Sequence, residues 1–188
     1  MLKRLIFTIA LACLAEASVK AQYDPSYSHY WAMEPSFNPA SVGKDNKLNV
    51  VGAYGLDFSG YEHNPNTFYV GADMPLYFLK QYHGVGISIL NDKLGVFTHQ
   101  RISVQYAFRH HLFGGMLSAG VQAGMLFEKF DGSKLDPEEA SDPALTQSEV
   151  NGNSLDFGAG LYYTHRNLYI GASVQHLNSP LVELGETN

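Results

Sequence analysis

From residue 48 onward, apolar and polar positions alternate with a period of two, the spacing of strands rather than of helices. The clearest stretch is residues 98–110. There Ile102, Val104, Tyr106 and Phe108 fall on one face, and His99, Arg101, Ser103, Gln105 and Arg109 on the other. Residues 115–129 repeat the pattern. Leu117, Ala119, Val121, Ala123, Met125 and Phe127 oppose Ser118, Gly120, Gln122, Gly124 and Glu128, with Leu126 as the one exception. Residues 155–163 and 168–175 do the same, and residues 48–61, 67–74 and 84–91 are weaker members. The pattern predicts seven strands.

Alternation alone does not distinguish a membrane barrel from a soluble sandwich, because both hide one face. Two details favour the barrel. The non-apolar face is mostly Gly, Ser and Gln with occasional charge, which suits a polar lumen. Aromatics gather toward strand ends (Tyr61, Tyr77, Phe78, Phe97, Phe127, Phe130, Tyr162, Tyr163), where interfacial girdles lie. Connection lengths fit as well. With a periplasmic N-terminus, residues 111–114 and 164–167 are short periplasmic turns, and residues 131–154 form a long outer loop. That loop is acidic: Asp131, Asp136, Glu138, Glu139, Asp142 and Glu149 face only Lys134. The expected fold is an all-β, antiparallel, up-and-down transmembrane β-barrel. Bacterial single-chain barrels have an even strand count, and an open edge in lipid leaves backbone groups unpaired. The seven strands are therefore expected to be an incomplete set, as in a fragment.

Ahead of the strands, Met1-Leu2-Lys3-Arg4 is a basic start, followed by an apolar run from Leu5 to Ala15 and the small side chains of Val19-Lys20-Ala21. This is the layout of a secretory signal cleaved before Gln22. The run is about half of the ~20 residues a spanning helix needs. Residues 22–47 are rich in Tyr, Ser, Pro and Asn, and Pro25, Pro35 and Pro39 break any helix. The domain plan is thus a signal peptide at 1–21, an irregular segment at 22–47, and a partial barrel at 48–188.

Composition narrows the function. Removing Lys3, Arg4 and Lys20 from 12 basic residues, and Glu16 from 18 acidic ones, leaves 9 against 17, without the basic surface that nucleic acid requires. The one cysteine, Cys13, lies in the signal, so the mature chain has no disulfide, thiolate metal site or cysteine nucleophile.

The mature N-terminus, AQYDPSYSHYWAMEPSFNPASVG, resembles that of the PorP/SprF family of type IX secretion system proteins in Bacteroidetes. The matching residues are Gln22, Asp24, Pro25, Tyr27, Ser28 and Tyr30, then Asn38, Pro39, Ala40 and Gly43. Gly84-Val85-Gly86-Ile87-Ser88 followed by Asn91, Asp92, Lys93, Leu94 and Gly95 is similar to the family's glycine strand and its closing turn. Residues 103–109, 157–163 and 169–177 continue the series in order. Trp31-Ala32-Met33-Glu34 departs from it. The resemblance implies a non-enzymatic outer-membrane component that assists export or surface attachment of cargo such as gliding adhesins. It implies lipid, periplasmic type IX components and a secreted surface protein as partners, and no cofactor. The polar inward face by itself also fits a small-solute pore or uptake barrel.

Other chemistry is weaker. The eight histidines have no helical ligand spacing, and 131–136 lacks the alternate oxygens of a calcium loop. His99 with Asp92 or Ser103 could serve a rim hydrolase, but nothing in their spacing brings them together. Gly84-x-Gly86 and Gly158-x-Gly160 lie within strands and read as small lumen residues, not phosphate loops.

Overall fold

The computed structural model describes residues 30–56, 64–132, 149–166, 168–180 and 182. The export signal, Tyr61 and the acidic stretch at 133–148 lie outside them. Seven strands form one antiparallel sheet in chain order: β1 (Asn49–Leu56), β2 (Asn66–Phe78), β3 (Gln81–Leu94), β4 (Phe97–Leu112), β5 (Gly115–Asp131), β6 (Glu149–His165) and β7 (Leu168–Val174). The sheet curls into half a barrel, with β1 and β7 as its two edges. Among the described residues no helix is long and apolar enough to cross a membrane.

The alternation assigns the two faces. In β4, Arg101, Ser103, Gln105, Ala107 and Arg109 are buried on the concave side, while Ile102, Val104, Tyr106 and Phe108 are exposed on the convex side. Val104, Val121, Leu155 and Leu161 are each more than half exposed, so the convex surface is a continuous apolar belt. A water-soluble monomer rarely carries an exposed apolar patch beyond a few hundred Å². Leu126, out of step in the sequence, points inward and is buried at the concave position paired with Arg101.

Strand ends differ from the sequence reading. β6 begins at Glu149, and 149–154 pair with 126–131 of β5 although they carry no apolar alternation. The 17 residues of β5 and β6 run about 55 Å at the usual strand rise. An apolar band about 25 Å tall needs only part of that. Beyond the band nothing requires one greasy face, so periodicity fades while the hydrogen-bond ladder continues. For the same reason the short turns shrink to two residues, 79–80, 113–114 and 166–167, all at one end of the sheet. Leu79 (φ 51°), Lys80 (φ 60°), Phe113 (φ 48°) and Gly114 (φ 76°) take the left-handed conformations that tight hairpins demand.

The aromatic girdle also needs correcting. Tyr77, Phe97, Phe130 and Tyr162 have concave-side parity, as their pairing with Tyr82, each other and Ser118 requires. Tyr162 is buried, and its hydroxyl donates to Glu34. Phe78, Phe127 and Tyr163 remain on the convex side. There His83 stacks on Phe78 at 3.7 Å and shares a 2.7 Å hydrogen bond with the Tyr106 hydroxyl. Its other nitrogen lies 3.3 Å from the Phe78 carbonyl, so this imidazole sits on an apolar surface with both nitrogens engaged.

Candidate functional site

The concave face is occupied by the chain's own N-terminal segment. Three short 3-10 turns (Tyr30–Ala32, Glu34–Ser36, Pro39–Ser41) lead into β1. Every residue from 38 to 43 is buried, and Ser41 and Val42 are wholly inaccessible. The local cause is in the sequence. Pro35 and Pro39 stand in first-turn positions that suit their fixed φ. Asn38 caps the last turn by accepting a 3.0 Å hydrogen bond from the Ala40 amide.

The wall is shaped to receive this backbone. Register places Gly84, Ala107, Gly120, Gly160 and Ser173 side by side across β3 to β7. A Cβ at Gly84 would overlap the Val42 carbonyl, one at Gly120 the Pro39–Ala40 peptide, and one at Gly160 the Asn38 side chain. A row of small residues thus forms a groove running across the strands, and residues 38–42 lie in it. Gly43 has φ +66°, and a Cβ there would stand 2.7 Å from the Gly84 Cα, so both its conformation and its space call for glycine.

Polar groups on the wall take up the segment's backbone. The Gly43 amide donates to Asp73 Oδ2 at 2.7 Å, and the Arg109 guanidinium donates to the carbonyls of Gly43 and Lys44. Ser118 donates to the Ala40 carbonyl at 2.6 Å, and Gln105 to the Pro35 carbonyl at 2.6 Å. Arg101 and Gln175 both donate to the Ser36 carbonyl, at 3.2 and 3.1 Å. Asn38 Nδ2 donates to the Leu161 carbonyl at 3.2 Å. Lys44 pairs with Glu34 within the segment. Higher on the wall, Met33 packs on Tyr69 and Leu90, with Val51 and Ala53 against them. A buried backbone carbonyl left without a donor costs ~1–3 kcal/mol, and these contacts meet that requirement strand by strand.

The residues singled out in the sequence fall into two separate places. Asn38, Pro39 and Gly43 lie in the groove. Tyr30 is exposed, edge-on to Trp31 at 5.5 Å. Gln22, Asp24, Pro25 and Tyr27 lie outside the described residues. Asn91, Asp92 and Lys93 are not in a turn: they extend β3, paired with Gln100, His99 and Thr98, and only Gly95 (φ +63°) and Val96 form the connection. Asp92 is buried and accepts a 2.5 Å hydrogen bond from Thr67. It lies eight residues along β3 from Gly84, about 26 Å at strand rise, so the two motif clusters do not meet. His99 binds Glu128, and Ser103 shares a 2.7 Å hydrogen bond with Ser88. His99, Asp92 and Ser103 therefore form no nucleophile–base pair. Among the described residues no group of three or more His, Cys, Asp or Glu could hold a metal ion.

Sequence reading missed Asp73, Gln175 and the roles of Arg101, Gln105, Arg109 and Ser118 as binders of the segment. Their inward parity was legible, but nothing local says which backbone they meet.

An apolar convex belt around a concave, polar and occupied interior defines a transmembrane β-barrel protein. The family of type IX secretion system membrane proteins PorP/SprF matches the chain over residues 19–188. The chain belongs to this family and is a membrane component of type IX secretion. No curated protein and no solved structure matches it.

Proposed function

We propose that this protein is a non-enzymatic component of the outer membrane that assists the export or surface attachment of a secreted cargo protein, such as a gliding adhesin. The family match over residues 19–188 carries the reading. In this account the export signal ends at Ala21, and the end of the sheet that carries the turns at 79–80 and 113–114 faces the periplasm, where other type IX components meet the barrel. The long connection at 132–148 faces outward, toward cargo. Asp136, Glu138, Glu139 and Asp142 make its sequence acidic.

The test is deletion of the gene followed by fractionation. A surface protein should appear free in the medium or be retained inside the cell, and a plasmid copy should restore it to the surface. Unchanged surface proteins in the deletion strain would remove the proposal. Membrane fractionation of the wild type should place the chain with outer-membrane markers.

A further inference from the structure

We propose that residues 34–44 are a permanent plug seated on the inner wall that these seven strands build, so that this protein serves as an anchor and not as a conduit for cargo or solutes. The inference rests on the membrane reading above and deepens it by separating attachment from passage.

The geometry points this way for three reasons. First, the contact is continuous. The six residues from 38 to 43 are all buried, and Ser41 and Val42 expose nothing. A loosely held strap would leave one side wet. Second, the fit is steric and built from the wall side. Gly84, Gly120 and Gly160 come from three different strands yet fall in one register row, and each leaves room that the segment fills, with backbone at Gly84 and Gly120 and with the Asn38 side chain at Gly160. Third, the lumen's polar groups are already committed. Arg101, Gln105, Arg109 and Ser118 would be the natural lining of an aqueous channel, and each donates to a carbonyl of the segment. Withdrawing the plug would leave two guanidinium groups, a glutamine and a hydroxyl to be resolvated together. Contacts reach from Asp73 on β2 to Gln175 just beyond β7, so release requires breaking them across six strands at once. Cooperative contacts of this breadth open rarely.

The test uses the full chain, purified and reconstituted in lipid vesicles, with flotation confirming insertion. The wild-type protein should give no discrete conductance steps in planar bilayers. Ser41→Cys should react with a membrane-impermeant maleimide at least ~100-fold more slowly than Trp31→Cys, because the buried site reacts only on local opening. Regular unit conductance from the wild type, or equal reaction rates at the two positions, would overturn the plug. A protein that fails to float with lipid would instead overturn the membrane reading on which it rests.

Discussion

Replacing Gly120 by valine is expected to unseat the N-terminal segment and to cost the folded protein about 3 kcal/mol or more. Overpacking a tight site commonly costs ~1–3 kcal/mol. Here the new Cβ meets the Pro39–Ala40 peptide itself, not the flexible end of a side chain. The wall can relieve the clash only by letting the segment move, which forfeits the donors from Ser118, Gln105 and Arg109 at ~1 kcal/mol each. Trp31 is the only tryptophan in the chain and belongs to the segment, so its fluorescence reports unseating directly. Urea unfolding in lipid vesicles should show a lowered midpoint for Gly120→Val. Gly52→Ala is the control: the nearest atom to its Cβ is 4.0 Å away, and the change should stay within ~0.5 kcal/mol. Equal midpoints for the two variants would show that the groove does not hold the segment.

The second large effect is on the opposite face. Val104 is 56% exposed at the middle of the convex belt, and Val104→Lys should destabilise the barrel by ~2–4 kcal/mol, the cost of a lysine facing the hydrocarbon midplane. Ser103, its neighbour on the chain, is 2% exposed on the concave side. Had the convex face met water, Val104→Lys would be close to neutral, as surface charges usually are. The unfolding midpoint in vesicles measures the difference, and a neutral result would refute the assignment of that face to lipid.

The face of each strand was legible in the sequence because lipid imposes a strict requirement on every second residue. Ile102, Val104, Tyr106 and Phe108 could be assigned without knowing any partner. Strand ends were not legible where that requirement lapses. Residues 149–154 continue the ladder with β5 without any apolar alternation to announce it, and Asn91-Asp92-Lys93 carry side chains that favour turns. The ladder to Thr98, His99 and Gln100 overrides that preference. Tyr162 and Tyr77 stand near strand ends, as girdle residues do, but their parity turns them inward. The groove was hidden for a different reason. Gly84, Gly120 and Gly160 are separated in sequence by 36 and 40 residues, and only register brings them into one row. That register depends on the lengths of the hairpin connections. Their place within strands marks these glycines as small lumen positions, and the structure adds what lies against them.

The central claim is that alternate residues of one strand face lipid and a filled interior. Spin labels placed singly at residues 102 to 109 of the reconstituted full chain would measure it most directly. Labels at Ile102, Val104, Tyr106 and Phe108 should collide freely with oxygen, which concentrates in lipid. Labels at Ser103, Gln105, Ala107 and Arg109 should be shielded from oxygen and from water-soluble nickel reagents alike. Nickel access at the even positions, or the loss of the two-residue period, would contradict the account.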